Sequence, residues 1–275
     1  MSIQVLLSTM NQLNLDIAKK CNIQTEAVIV NQCDHDSYVE ENKDYGILSM
    51  YNSSERGLSK SRNLALDKAS AEICILCDDD VQYVNGYEEI VESAFKNIED
   101  ADVIVFNIKP INARVGEEEV VFSEIKKIPK YKSYGSVHIA FRRERIIRAG
   151  IKFNEYFGTG SGVYPMSEDS IFFAELHRKG LNCYTYPACI ATVDFKSSSW
   201  FKGYDEEYFY GIGAFLSEAY PKEMKILKWY YPIRMRKLTT LSSCKIIQLI
   251  NQGIKGYKDL MNYEEYLYKK KKKER

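Results

Sequence analysis

The first half of the chain alternates short apolar runs with segments of helical periodicity. The runs typical of β-strands are residues 3–8, 26–31, 73–77 and 101–107, and the segments typical of helices are 14–20, 59–68 and 86–98. This alternation predicts an α/β fold, a mostly parallel sheet with helices on its faces. Because ligands of open α/β sheets bind beyond the carboxyl ends of the strands, residues that directly follow these runs are the first candidates for a functional site.

Polar residues follow three of these runs. They are 9–11 after the first run, 32–36 after the second, and Asp78, Asp79 and Asp80 after the third. Three adjacent carboxylates repel one another unless a cation or hydrogen-bond donors face them, so the cluster favours a metal ion that carries a phosphate-rich ligand. The alternative is an Asp-rich turn that ends a strand and stays solvated.

Two further segments favour the metal site. The sequence SERGLSKSRN at 54–63 precedes the aspartates, and the pair Glu168–Asp169 follows a glycine-rich loop at 157–162. The pair opens a predicted helix at 170–179, which Gly180 closes and for which Ser167 is the predicted N-cap. Acidic residues in a first turn also suit the helix dipole, and this is the alternative role for the pair.

The rest of the chain does not continue the alternation of strands and helices. Residues 120–141 are rich in Lys and Tyr and are typical of strands and loops, with a strand predicted at 136–141, and the chain after Phe195 is predicted to be helical. The basic aromatic segment 228–237 and the lysines 269–273 near the end could contact an anionic membrane. The alternative is that the aromatic rings pack in the core and the lysines solvate the end.

Composition excludes some classes of function. The 38 basic and 38 acidic residues balance, so there is no global attraction to nucleic acid. No secretory signal or membrane span is expected, and seven cysteines without regular spacing predict reduced thiols in a cytoplasmic protein. Cys74 and Cys77 should point to opposite faces of their strand and act as small core residues.

The order of these motifs resembles one family. Strand–Ser–Thr, strand–Asp, RGLSxxRN, strand–DDD and glycine-rich loop–Glu–Asp–helix together are similar to family 2 glycosyltransferases of the GT-A fold, especially those that build bacterial capsules and exopolysaccharides. The resemblance covers roughly residues 3–200. It implies a catalytic domain at 1–200, with a nucleotide-binding half at 1–110 and an acceptor half at 111–200, followed by a helical extension at 201–275 with a basic tail.

The resemblance implies that the aspartates hold Mn²⁺ or Mg²⁺ on the diphosphate of a UDP-sugar. In one alignment Asp80 binds the metal and Asp78 lies nearer the ribose, and in the other Asp79 takes the metal. Many relatives have a histidine where this chain has Asp194. The resemblance therefore implies that Asp194 supplies an oxygen ligand or that Lys196 meets the phosphates, whereas His35, His138 and His177 are expected to be ordinary polar residues.

The resemblance also implies substrate-binding and catalytic residues. Asp34 matches the position that accepts a hydrogen bond from uracil, with backbone near Thr9 beside the base, and a carboxylate there favours a UDP-sugar over a CMP-sugar. Arg62, followed by Asn63, matches a position that reaches toward the nucleotide or its phosphates. In the acidic pair, Asp169 is the implied general base of an inverting transfer, and Glu168 orients it or contacts the acceptor.

The resulting prediction is transfer of a hexose, with UDP-galactose or UDP-glucose preferred as donor. The implied acceptor is a saccharide linked to undecaprenyl diphosphate, used in surface polysaccharide synthesis at the cytoplasmic face of the membrane. Two alternatives belong to other classes. A phosphohydrolase of the HAD type also has a strand followed by Asp-x-Asp, and a catalytically silent GT-A domain could bind partner proteins.

Overall fold

A computed structural model describes residues 1–112, 120–194 and 203–273. Its strands are β1 Ile3–Met10, β2 Glu26–Gln32, β3 Ser37–Lys43, β4 Gly46–Ser53, β5 Ile73–Asp78, β6 Val81–Tyr83, β7 Val103–Ile111, β8 Lys126–Lys127, β9 Ile139–Arg142 and β10 Cys183–Asp194. These ten strands form one sheet, in the order β3-β4-β2-β1-β5-β9-β7-β10-β6 with β8 paired to β10. The helices are α1 Asp16–Lys20, α2 Leu58–Lys68, α3 Tyr87–Asn97, α4 Arg143–Ala149, α5 Glu168–Arg178, α6 Glu206–Ala219, α7 Met224–Leu227, α8 Tyr230–Arg234, α9 Ser243–Tyr257 and α10 Tyr263–Lys273.

The predicted parallel strands lie next to one another. Strand β1 pairs in parallel with β2 and β5, and β2 pairs in parallel with β4. The short strand β9 runs antiparallel to both β5 and β7, so the complete sheet is mixed. Helices cover both faces, as the alternating pattern predicts.

One hairpin was missed, and two local predictions need correction. The hairpin β3–β4 was not predicted, because every residue of β3 is exposed and its polar sequence carries no apolar alternation. The predicted strand at 136–141 is a strand only from Ile139, since residues 136–138 form a 3₁₀ turn. Ser167 precedes α5 but does not cap it, because its backbone is left-handed, at a φ of 84°, and its side chain makes no capping hydrogen bond.

Both faces of the sheet carry an apolar core. Cys77 belongs to the core beneath α1 and α3, and Cys74 belongs to the core beneath α2, α4 and α5. The two side chains therefore point to opposite faces and are buried, as predicted. All seven cysteines of the chain are free thiols.

A third core lies among the C-terminal helices. Helices α6 and α9 cross where Gly213 faces Gly253, and a Cβ atom added to either glycine would overlap the backbone of the other helix. Side chains of α5 also contribute to this core, through Ile171 and Ala174. The boundary at residue 200 stays a prediction, because 195–202 lie outside the described residues. None of the helices in the described part of the chain is long and apolar enough to cross a membrane.

Candidate active site

The pairing of the strands brings the candidate residues to one edge of the sheet. In the parallel register, Ser8 lies beside Asp78 and Met10 lies beside Gln32. The carboxyl ends of β1, β2 and β5 therefore lie at the same edge of the sheet. Helix α2 begins at this edge, where its residue Leu58 donates a backbone hydrogen bond to the Thr159 carbonyl of the glycine-rich loop, at 2.9 Å.

One arginine joins the two acidic motifs. Arg62 on α2 is only 2% exposed, and its guanidinium donates to both carboxylate oxygens of Asp78, at 3.1 and 3.2 Å. The same guanidinium donates to Asp169 Oδ1 at 3.0 Å and lies 3.6 Å from Glu168 Oε1. It also lies over the Phe153 ring, at 5.3 Å from the centroid. A planar donor fork can hold several carboxylates in fixed positions, so Arg62 ties the end of β5 to the start of α5.

The charges at this site are unbalanced. Burial raises the pKa of Glu168 to about 7, the charge of Asp169 adds to the rise, and Arg62 opposes it. Burial also raises the pKa of Asp80 to about 6, and the charges of Asp78 and Asp79 add to the rise. One buried guanidinium is therefore not enough to keep all these carboxylates ionised, which is the condition expected of a site that receives a further cation.

The aspartates after β5 have different neighbours. Asp79 Oδ2 accepts a hydrogen bond from the Thr9 hydroxyl at 2.7 Å, and the Asp79 carbonyl accepts one from Lys20 Nζ at 2.8 Å. The Asp80 carbonyl accepts a hydrogen bond from the backbone N–H of Asp194 at 3.0 Å. The antiparallel pairing of β6 with β10 thus places Asp194 beside Asp80. This all-oxygen set of carboxylates suits Mg²⁺ or Mn²⁺.

Asp169 is held at both carboxylate oxygens. Oδ1 accepts from Arg62, and Oδ2 accepts from the backbone N–H of Ser136 at 3.0 Å. Ser136 belongs to the 3₁₀ turn that precedes β9. A carboxylate oxygen has two acceptor positions, so each oxygen of Asp169 retains one position for a substrate proton.

Two of the sequence candidates lie away from these groups. The side chain of Asp34 is 93% exposed, and its Oδ1 lies 2.9 Å from His35 Nδ1. Asn63 is buried, and its amide bonds the backbone of Phe153 and the carboxylate of Glu155. Asn63 therefore fixes the chain before the glycine-rich loop, in place of the substrate contact predicted for it.

A cavity of about 1190 Å³ contains the acidic motifs. Its polar side is lined by Thr9, Gln32, Arg56, Arg62, Asp78, Asp79, Asp80, Glu168 and Asp169. Its apolar side is lined by Tyr204, Tyr208, Ile212, Phe215, Leu216, Tyr220, Leu227, Tyr230 and Tyr231, from α6, α7, α8 and the residues beside them. Sequence reasoning missed this second side, because the helical pattern after residue 203 does not tell which face of each helix turns toward the sheet.

Within the described ranges, one group of three potential metal ligands has its ligand atoms close enough to share an ion, and it is not the carboxylates after β5. Ligand atoms of Cys33, Asp34 and His35 lie within 4.8 Å of one another. These residues are consecutive on the loop after β2, and they do not line the cavity. The predicted contact of Lys196 with the phosphates falls outside the described residues.

Comparisons with known proteins give the family. The sequence model of glycosyl transferase family 2 matches residues 4–157, which span β1 to β9 and include the aspartates. No curated protein matches the chain significantly. Among solved structures, residues 1–349 of S. aureus TarS match with a TM-score of 0.58 and 15% identity, covering 96% of this chain and 93% of TarS 1–349.

Two further structures of the same TarS fragment match equally well. The complex with UDP-GlcNAc has a TM-score of 0.58 at 15% identity, and the complex with UDP has 0.57 at 16% identity. Each covers 96% of this chain and 93% of the TarS fragment. The predicted GT-A fold is confirmed, and it excludes the HAD-type alternative. The chain belongs to glycosyl transferase family 2.

Proposed function

We propose that the protein transfers a sugar from a UDP-sugar to a saccharide acceptor, with inversion at the anomeric carbon and with a divalent metal ion. The observation that carries this proposal is the position of Asp78 and Asp169 on the two sides of the Arg62 guanidinium, in one cavity. A donor-side carboxylate cluster and an acceptor-side carboxylate are the two parts that a single displacement needs. The likeness to TarS structures that contain UDP and UDP-GlcNAc supports a UDP-sugar donor.

The metal would be held by Asp80, together with Asp78 or Asp79 and Asp194. Bound there, Mg²⁺ or Mn²⁺ neutralises the charge that develops on the diphosphate leaving group. The backbone hydrogen bond from Asp194 to the Asp80 carbonyl supports this set, because it holds the end of β10 next to the turn that carries Asp80. Mg²⁺ needs only a few protein carboxylates and keeps several waters, so a small set of aspartates is enough to bind it.

Asp169 acts as the general base. The acceptor hydroxyl oxygen attacks the anomeric carbon, its proton passes to an Asp169 oxygen, and the bond to the diphosphate breaks so that UDP leaves with the electron pair. Arg62 and the Ser136 N–H fix the orientation of the carboxylate. A single displacement of this kind inverts the anomeric configuration. Glu168, beside Arg62, orients the acceptor.

The uracil end of the donor lies near Thr9 and Gln32. Both residues line the cavity, and the Gln32 side chain accepts a hydrogen bond from the Gly57 N–H at 2.8 Å. We place Gln32 in the role first assigned to Asp34, because the Asp34 carboxylate faces solvent. A glutamine amide can both donate to and accept from the uracil edge.

The acceptor is proposed to be a saccharide on undecaprenyl diphosphate, used in surface polysaccharide synthesis at the cytoplasmic face of the membrane. UDP-galactose and UDP-glucose remain the first donors to test, and the likeness to the TarS complex adds UDP-GlcNAc. No feature of the site favours a silent binding module, since clustered carboxylates are costly to bury without a ligand.

Calorimetry of UDP binding tests the proposal. UDP should bind with Mn²⁺ and lose at least about tenfold in affinity in EDTA or in Asp80→Ala, because the metal bridges protein and diphosphate. Asp44→Ala is the matched control, since Asp44 is an exposed aspartate in the turn between β3 and β4. Equal UDP affinity with and without the metal would contradict the assignment.

A further inference from the structure

An exposed apolar stripe lies on the outer side of α7 and α8. Ile226, Trp229, Tyr230 and Ile233 are 77%, 57%, 55% and 80% exposed. Their spacing of three, four and seven residues places them on one side of a helical segment. We define these four residues as the outer stripe. Large apolar side chains grouped in this way mark a surface that meets another apolar phase.

The opposite side of the same segment is already occupied. Leu227, Tyr231 and Met235 pack against the third core, and Pro232 is buried. Lys228 donates to Asn251 of α9 at 3.0 Å, which also fixes the segment. The segment is therefore apolar on both sides, and the protein itself covers only the inner one.

The charges around the outer stripe point to the occupant. Residues 224–238 contain five basic residues, which are Lys225, Lys228, Arg234, Arg236 and Lys237, and no acidic residue. A second copy of the chain would bring an equal positive charge against this surface, and like charges repel. An anionic lipid surface offers the complementary charge, together with an apolar layer for the rings and isoleucines.

The outer stripe also continues into the catalytic cavity. Tyr230 belongs to the stripe and lines the cavity, and its neighbours Leu227 and Tyr231 line it as well. The surface that would meet lipid is thus the rim of the cavity that holds the acidic motifs. An acceptor carried on a lipid in that surface reaches the cavity along the apolar side of its wall.

We propose that the outer stripe and its basic flanks dock the protein on an anionic bilayer, with the apolar rim of the cavity turned toward the lipid. This inference deepens the proposed function, because it identifies where the lipid-linked acceptor enters. The exposed rings and isoleucines enter the headgroup region, and the four exposed cations, Lys225, Arg234, Arg236 and Lys237, bind anionic headgroups. The lysines of α10, of which Lys269 pairs with Asp259, are expected to add at most a weaker contact.

Flotation of the full chain with vesicles tests the docking surface. The chain should float with vesicles that contain phosphatidylglycerol, less in high salt, and not with phosphatidylcholine alone. Ile226→Ser with Ile233→Ser should weaken binding at least about tenfold, since both side chains lose their insertion into lipid. The matched control is Leu13→Ser with Val121→Ser, which removes two exposed apolar side chains elsewhere and should leave binding unchanged.

Charge variants separate the flanks from the tail. Arg234→Gln with Arg236→Gln should weaken binding about tenfold or more, since each basic residue near anionic lipid contributes several-fold. Lys96→Gln with Lys152→Gln removes the same charge at exposed positions elsewhere and should have little effect. Deletion of 269–275 should weaken binding without abolishing it. Equal losses in the flank and control variants would overturn the inference.

Fluorescence gives a readout independent of activity. The chain has two tryptophans, so Trp200→Phe leaves Trp229 as the only one. Its emission should shift to shorter wavelength with anionic vesicles, and an unchanged spectrum would contradict insertion. Hydrolysis of a UDP-sugar in solution is measured on the same preparations and should be unchanged in Ile226→Ser with Ile233→Ser. A chain that hydrolyses the donor but does not float would overturn the docking surface and leave the proposed function standing.

Discussion

Asparagine in place of Asp80 should stabilise the ligand-free protein at pH 8. Burial, together with the charges of Asp78 and Asp79, raises the pKa of Asp80 from 3.8 to about 6. A difference of about two pH units corresponds to about 3 kcal/mol between the two protonation states. Because Asp80 is partly accessible to solvent, we expect a gain of about 1–3 kcal/mol in the free energy of unfolding.

The direction of the pH dependence follows from the raised pKa. The favourable contribution of Asp80 is fully present below its unfolded pKa of 3.8 and is lost as the pH rises through about 6. Asparagine behaves like the protonated carboxyl at every pH. The advantage of Asp80→Asn should therefore be largest at pH 8, smaller at pH 5 and nearly absent at pH 4.

Urea denaturation in EDTA between pH 4 and pH 8 measures this difference. Asp44→Asn serves as the control, because it removes an exposed aspartate of the β3–β4 turn. Adding Mn²⁺ should reverse the order at pH 8, since a ligand at 100 times its Kd stabilises the binding-competent protein by about 2.7 kcal/mol. A variant that is no more stable than wild type at pH 8, or an advantage that is the same at pH 5, would refute the reasoning.

Four other substitutions, two of them a matched pair of glycine variants, give distinct outcomes. Arg62→Gln leaves buried carboxylates without their cation and should lower the free energy of unfolding by about 3–5 kcal/mol. In urea denaturation this loss should be larger at pH 8 than at pH 5, and equal losses at the two pH values would contradict the prediction. Asp169→Asn should lower transfer about 10²–10⁴-fold while UDP affinity in calorimetry stays within about twofold, and near-normal turnover or a product with retained configuration would reject the base. Gly253→Ala should cost about 1–3 kcal/mol because the added Cβ overlaps the Tyr210 backbone, whereas Gly211→Ala, which meets no atom within 4 Å, should gain about 0.5–1 kcal/mol. Calorimetric unfolding compares the pair, and a stable Gly253→Ala would contradict the close crossing of α6 and α9.

The sequence predicts the parts of the fold that depend on local periodicity. The strands at 3–10, 26–32 and 73–78 and the helices at 58–68 and 87–97 lie within a few residues of their predicted bounds. The rule on the carboxyl ends of parallel strands also predicts that Thr9 and the aspartates come together, and they line one cavity. These features need only the residues of each segment and the pairing of neighbouring strands.

The features that were not predicted depend on tertiary packing. Arg62 was assigned to the nucleotide or its phosphates, but its contacts with Asp78 and Asp169 depend on the tertiary arrangement of α2, the end of β5 and the start of α5. In the segment 228–237 the sequence left core packing and exposure open. The structure divides its rings, with Tyr231 against the third core and Trp229 and Tyr230 on the outside. Spacing alone does not tell which side of a helix that is apolar all round will be covered.

Release of UDP from a panel of donors tests the central claim most directly. The panel is UDP-glucose, UDP-galactose, UDP-N-acetylhexosamines and UDP-glucuronate, each with Mn²⁺, and each repeated in excess EDTA and with Asp80→Ala. The account predicts UDP release from at least one donor, and loss of most of that release in EDTA and in the variant, because the metal held by Asp80 neutralises the leaving diphosphate. Release that continues at the full rate in EDTA, or no release from any UDP-sugar in the panel, would contradict it.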